Sequence, residues 1–313
     1  MNTELKRNGR LAQTRIYLCE LLRMFVYQSD WKVIPLGAVI AAVVTFVVGG
    51  NLFRTQEGTT NGAFALACAC IWNGFFNSIQ VVCRERKTIK HEHRAGLHIS
   101  SYIAAHMIYQ LILCLVQTIV TLLICRIAGV SFPVQGVVTP WGIVDLGITI
   151  LLITFAADML ALMISSIVRT TTTAMTVMPF LLIFQLIFSG TFFQMTGFAE
   201  QLTKLTVSKW GIESICAIGR FNELPMVTLW NTMFRLKDVE FAGGKPVLAL
   251  IQSIEQQGKM DEILQWSGSI NQKAAYASTI NNVLTTWGAL LLLTAVAAIV
   301  SIAVLEFIDR DKR

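Results

Sequence analysis

Six apolar stretches dominate this sequence, at roughly 33–53, 62–82, 100–124, 143–168, 174–193 and 283–305, each near the ~20 residues a helix needs to cross a bilayer. Lipid offers backbone groups no hydrogen-bond partner, so runs of this kind are confined to helices. Composition agrees. Hydrophobic residues are 54% of the 313 and charged residues only 14%, against roughly 25% in soluble domains. A soluble globule with so little charge would expose large apolar patches, and a disordered chain needs the opposite balance. The sequence therefore predicts an all-α integral membrane protein with six transmembrane helices.

Ahead of the first stretch, Leu11, Leu18, Leu22 and Phe25 recur at helical spacing, with Gln13, Glu20 and Arg23 away from that stripe. Such a segment predicts an amphipathic helix lying in the membrane interface, before the chain turns inward at Asp30-Trp31-Lys32. Lysine and arginine concentrate in the N-terminal segment, in 84–94, at Arg169 and at the C-terminus, whereas the alternate short loops carry only Arg54 and Arg126. By the positive-inside rule both termini face the cytoplasm. The expected organisation is an N-terminal segment with its surface helix (1–32), five spans with a charged cytoplasmic loop at 84–99 (33–193), an external region (194–282), and a sixth span with its tail (283–313). The external region balances basic residues (Lys204 to Lys273) with an equal number of acids (Glu200 to Glu262), as a folded external subdomain would. Its lack of an N-x-[ST] sequon favours a bacterial cell membrane.

The net charge of +6 records this topology. No basic stripe interleaved with aromatics stands outside the apolar runs, which excludes a nucleic-acid surface. Cys68, Cys70, Cys83, Cys114 and Cys125 lie in or beside apolar runs, and no CxxC pair or disulfide framework is visible. His91, His93 and His98 cluster without partners at metal-ligand spacing. No catalytic constellation or metal site is expected. No phosphate-binding loop is present: Gly244-Lys245 is followed by Pro246 and Gly258-Lys259 by Met260, where Ser or Thr is required.

Polar residues inside the spans carry more information, because each must find a partner away from lipid. Asp158 is the only acid deep in a span; Asp145 falls near a span end, where water is expected to reach it. His106 stands alone in the third span. Asn73, Asn77 and Gln80 share one helical face of the second, suited either to interhelical hydrogen bonds or to a substrate path. In the fifth span, Pro179, Gln185, Ser189 and Gly190 sit among phenylalanines, which fits an interrupted helix or a packed kink.

Several segments resemble the G-subfamily ABC exporters and related ABC-2 type permeases. Glu85-Arg86-Lys87, His91-Glu92 and Ala95-Gly96, leading to Tyr102, are similar to their coupling-helix segment. Phe188-Ser189-Gly190, the run Thr206 to Glu213 with Asn222-Glu223, and Leu162 to Ser166 before Arg169 follow in the family's order. The resemblance implies a permease subunit that moves an amphipathic, lipid-like or peptide substrate outward by alternating access. It implies a second permease copy or a paralogue as dimer partner, and an ABC ATP-binding subunit that supplies ATP and Mg. Carried over by position, the substrate cavity would be lined by Cys70, Asn73, Phe76 and Asn77, and from the fifth span by Leu182, Ile183 and Leu186. Thr191 and Phe192 would form the gate. Arg84, Glu85, Arg86, Lys87, His91, Glu92 and Arg169 would couple to the ATPase. Two other classes stay open: a membrane sensor or scaffold on the same fold, and an ion-coupled carrier built on Asp158.

Overall fold

The computed structural model describes residues 9–27, 33–191, 195–240 and 244–307, which form thirteen α-helices and no extended strand. In chain order, α1 is Arg10–Tyr27, α2 Val33–Val48, α3 Gln56–Ser78, α4 Val81–Arg94, α5 Ile99–Ile127, α6 Gly142–Ile167 and α7 Thr171–Ile187. Short helices follow: α8 (Phe198–Thr203), α9 (Val207–Ile218), α10 (Val227–Leu236), α11 (Pro246–Gln256) and α12 (Met260–Ile270). The long α13 (Ile280–Glu306) closes the described chain. Threonine hydroxyls cap three of the apolar helices: Thr55, Thr170 and Thr279 accept from the backbone N–H three residues on.

Four helical segments are long and apolar enough to cross a membrane: α3 with α4, α5, α6 and α13. The other two expected spans are shorter than the sequence suggests. Helix α2 has 16 residues and α7 has 17, about 25 Å each at ~1.5 Å per residue, against a hydrocarbon core of about 30 Å. Helix α2 continues as one 3-10 turn, Gly49–Asn51. Helix α7 runs on through Pro179 and stops at Ile187, before Gly190 adopts a left-handed φ of 73°.

Helix α6 is the centre of the fold, packed on α3, α13, α5 and α9. The α3–α6 crossing is close because Gly74 has no side chain; a Cβ there would stand 2.7 Å from the Asp158 amide nitrogen and against the Thr154 carbonyl. Helix α9 is buried along most of its length between α3, α6 and α13, so part of the region expected to be external belongs to the bundle.

Helix α1 turns Gln13, Tyr17, Leu21 and Met24 toward the bundle, where α5 and the turn before it supply hydrogen-bonding and aromatic partners, and leaves Leu11 and Leu22 of the apolar stripe exposed on the other side. One expectation is corrected: Asp145 is fully buried instead of water-exposed. The preceding loop folds over it, and the backbone N–H groups of Val137, Val138 and Thr139 donate to its carboxylate at 2.6, 2.9 and 2.9 Å, replacing water. The expected inward turn at 30–32 and the basic C-terminus lie outside the described residues.

Candidate functional site

The second apolar stretch is divided from the charged segment by a two-residue turn. Helix α3 ends at Ser78, and α4 starts at Val81 after Ile79 and Gln80. Its first-turn N–H groups would be orphaned. Ser165 of α6 satisfies two of them: its Oγ accepts from the amides of Val82 and Cys83, each at 3.1 Å. Val82, Cys83 and Ile89 bury the apolar side of α4.

Three further ties hold α4. Arg86 donates to the carbonyls of Ser166 at 2.7 Å and Val168 at 3.3 Å, placing a cation at the C-terminal end of α6. Tyr102 of α5 donates to Glu85 at 3.0 Å, and Tyr17 of α1 donates to Glu92. The Tyr17 and Tyr102 rings meet edge to face, with centroids 5.8 Å apart. Burial pushes the Glu85 carboxyl above the usual carboxylate range; the Tyr102 bond and Arg84 oppose the shift, while Glu20 and Glu92 add to it. Both acids of α4 thus point into the protein, and Arg84, Lys87 and His91 remain exposed on its outer face. One rigid element therefore connects α1, α5 and the α6–α7 junction while presenting cations outward.

Above α4 lies a polar network in the apolar core. Asp158 of α6 accepts at Oδ1 from Ser78 Oγ, and at Oδ2 from Asn77 at 3.3 Å and from the Cys114 thiol at 3.5 Å. Asn77 and Gln117 exchange two amide bonds of 3.0 Å each. Gln110 donates to Ser78 Oγ at 2.8 Å. The network joins α3, α5 and α6 in a largely buried setting, so its bonds act at reduced dielectric.

The residues expected to line a substrate path separate into three groups. Cys70, Asn73 and Leu182 are buried within this chain, Asn73 against Gly37 of α2. Phe76 and Asn77 border a cavity, as does Gln80, which lies in the break after α3 and so does not share a helix with Asn73. Ile183 faces outward and Leu186 is half-buried on α7. Thr191 is half-buried; Phe192 lies outside the described residues. Arg169, in the α6–α7 connection, is exposed. Sequence reasoning assigned no contact to Ser165 or Tyr102, although both lie in the motifs above, and missed Tyr17; their roles depend on helices distant in the chain. It also missed Gln110 and Gln117, although their spacing with Cys114 of four and three, which puts all three on one face of α5, is a signal that could have found them.

Apolar helices of membrane-crossing length, packed around polar groups that satisfy one another, define an α-helical multi-pass membrane protein. The ABC-2 type transporter family model matches residues 18–218, from within α1 to the end of α9 and well over half the chain. The chain belongs to the ABC-2 type transporter family, as a transporter permease component and not an ATPase domain. No curated protein matches it.

Proposed function

We propose that this chain is the permease subunit of an ATP-driven exporter in a bacterial cell membrane, moving an amphipathic, lipid-like or peptide substrate outward by alternating access. Six spans cross the bilayer, the two short apolar helices α2 and α7 included, with both termini cytoplasmic. A second copy or a paralogue completes the transmembrane unit, and a separate ABC ATP-binding subunit binds ATP and Mg.

The observation that carries this reading is the way α4 is held. Force applied to its outer face reaches three elements at once: the α6–α7 junction through Arg86, α5 through Glu85 and Tyr102, and α1 through Glu92 and Tyr17. The cations Arg84, Lys87 and His91 suit a partner surface of opposite charge, which sets specificity and association rate. Glu85 and Glu92 then serve as internal linkages, and Arg169 lies beside the junction they move. An ion-coupled carrier built on Asp158 is less well supported, because both its carboxylate oxygens already accept from Ser78, Asn77 and Cys114.

The test is co-purification and reconstitution with a candidate ATP-binding subunit. Lys87→Glu with His91→Glu should abolish co-purification without lowering the melting temperature. Arg86→Ala should keep the complex but lose most nucleotide-dependent transport. Transport by the pure chain without nucleotide, or labelling that puts Lys87 on the external side of the membrane, would overturn the reading.

A further inference from the structure

Between α1, α3, α4 and α5 lies a cavity of about 380 Å³, which falls in the roughly 300–1,000 Å³ range of small-ligand sites. It is lined by one chain, with Val33 of α2 and Met175 of α7 at its border, and it shares Phe76 and Asn77 with the residues that the resemblance assigns to the substrate path. Leu21, Met24, Phe76 and Leu113 give it apolar walls, and the exposed Met175 and Arg84 stand among the residues that border it.

Its polar groups are unevenly satisfied. The Asn77 amide is taken by Gln117 and Asp158, and the Gln110 Nε2 by Ser78. His106 is 2% exposed and Gln110 1%, yet neither ring nitrogen of His106, nor Gln110 Oε1, has a hydrogen-bond partner among the described residues. Leaving a buried polar atom unpaired costs about 1–3 kcal/mol. An uncharged imidazole offers one donor and one acceptor, and the amide oxygen another acceptor. A hydroxyl group, which both donates and accepts, matches that set. The charges at the cavity, Arg84 and Glu85, are adjacent and of opposite sign, and Glu85 already accepts from Tyr102, so no uncompensated charge selects an ionic ligand.

We propose that this cavity binds an uncharged, hydroxylated single-chain amphiphile, with its hydroxyl at His106 and Gln110 and its chain along Leu21, Met24 and Leu113. The inference goes beyond the transport reading, since binding here requires neither nucleotide nor a partner subunit.

The experiment is saturation binding of radiolabelled 1-oleoylglycerol to the full-length chain in nanodiscs without nucleotide, with methyl oleate as a probe that lacks the hydroxyls. Two variants probe the site. His106→Phe keeps a ring against Tyr102, whose centroid lies 4.4 Å away, but removes both nitrogens. Met175→Trp fills the cavity from α7 and leaves the polar network intact. The expected result is saturable 1-oleoylglycerol binding that weakens about tenfold in each variant. Methyl oleate should bind the unaltered chain about tenfold more weakly and be insensitive to His106→Phe. Unchanged 1-oleoylglycerol affinity in Met175→Trp, or equal affinity for the two probes, overturns the site even if His106→Phe fails to fold. Loss of ATP-dependent transport with binding intact would count against the exporter reading alone.

Discussion

Asn77 on α3 and Gln117 on α5 exchange two amide hydrogen bonds of 3.0 Å, and the same Asn77 nitrogen lies 3.3 Å from the Asp158 carboxylate on α6. Three helices are thereby registered at one point. Asn77→Leu should cost about 1–3 kcal/mol, because it orphans the buried Gln117 amide. Gln117→Leu should cost a similar amount. The double substitution should cost clearly less than the sum, since removing both partners leaves fewer unpaired groups. Thermal unfolding in detergent gives the cycle; strict additivity would refute the pairing.

Gly74 is where α3 and α6 come closest. Gly74→Ala places a methyl group against two backbone atoms, the Thr154 carbonyl and the Asp158 amide, which cannot rotate away. The helices must separate, at a cost of about 1–3 kcal/mol. The expected outcome is a lowered melting temperature, and a larger residue such as Gly74→Val should abolish monodisperse purification.

Asp145 should behave as a structural acid. Asp145→Ala removes the acceptor for three backbone donors, at about 1–3 kcal/mol for each that stays buried. Asp145→Asn keeps one acceptor oxygen and should be milder. Gly136→Ala should mimic part of the loss, because its Cβ would stand 2.6 Å from Asp145 Oδ2. Melting temperatures in the order wild type, Asn, Ala would support this account, and indifference to Asp145→Ala would refute it.

Glu85 predicts a pH dependence for the docking of α4. Its folded-state affinity for a proton is raised by burial, so the folded state holds more protons than the unfolded one above the ordinary carboxylate range. Stability of this region should therefore fall as pH rises from that range through the raised value. Hydrogen exchange should show α4 better protected near pH 5 than near pH 8, after correction for intrinsic exchange rates. Glu85→Gln should flatten the difference; a profile of opposite sign would contradict the burial of this group.

Much of this molecule is legible in the sequence. The apolar runs mark four helices of membrane-crossing length and two shorter apolar ones, since a length near that of the bilayer and the need for internal backbone bonding leave few alternatives. Asp158 and Asn77 stand out as polar residues that lipid would not tolerate. The break between α3 and α4 is less legible, because it depends on Ser165, some eighty residues away, accepting the first N–H groups of α4. Asp145 misleads in the same way: its neighbours in sequence suggest water, while a loop folded back over it supplies the donors.

The sequence by itself determined that the chain is helical, lipid-embedded and equipped with a charged segment after its second apolar stretch. Periodicity and run length are properties of contiguous residues, and the bilayer acts on them directly. Only the tertiary structure decided which side of each helix matters. It turned Glu85 and Glu92 inward, left Arg84, Lys87 and His91 outward, and buried Cys70 and Asn73 inside one chain. These choices depend on the partners α1, α5 and α6 present at a given height, and hydrogen bonds between helices far apart in the chain leave no local period to read.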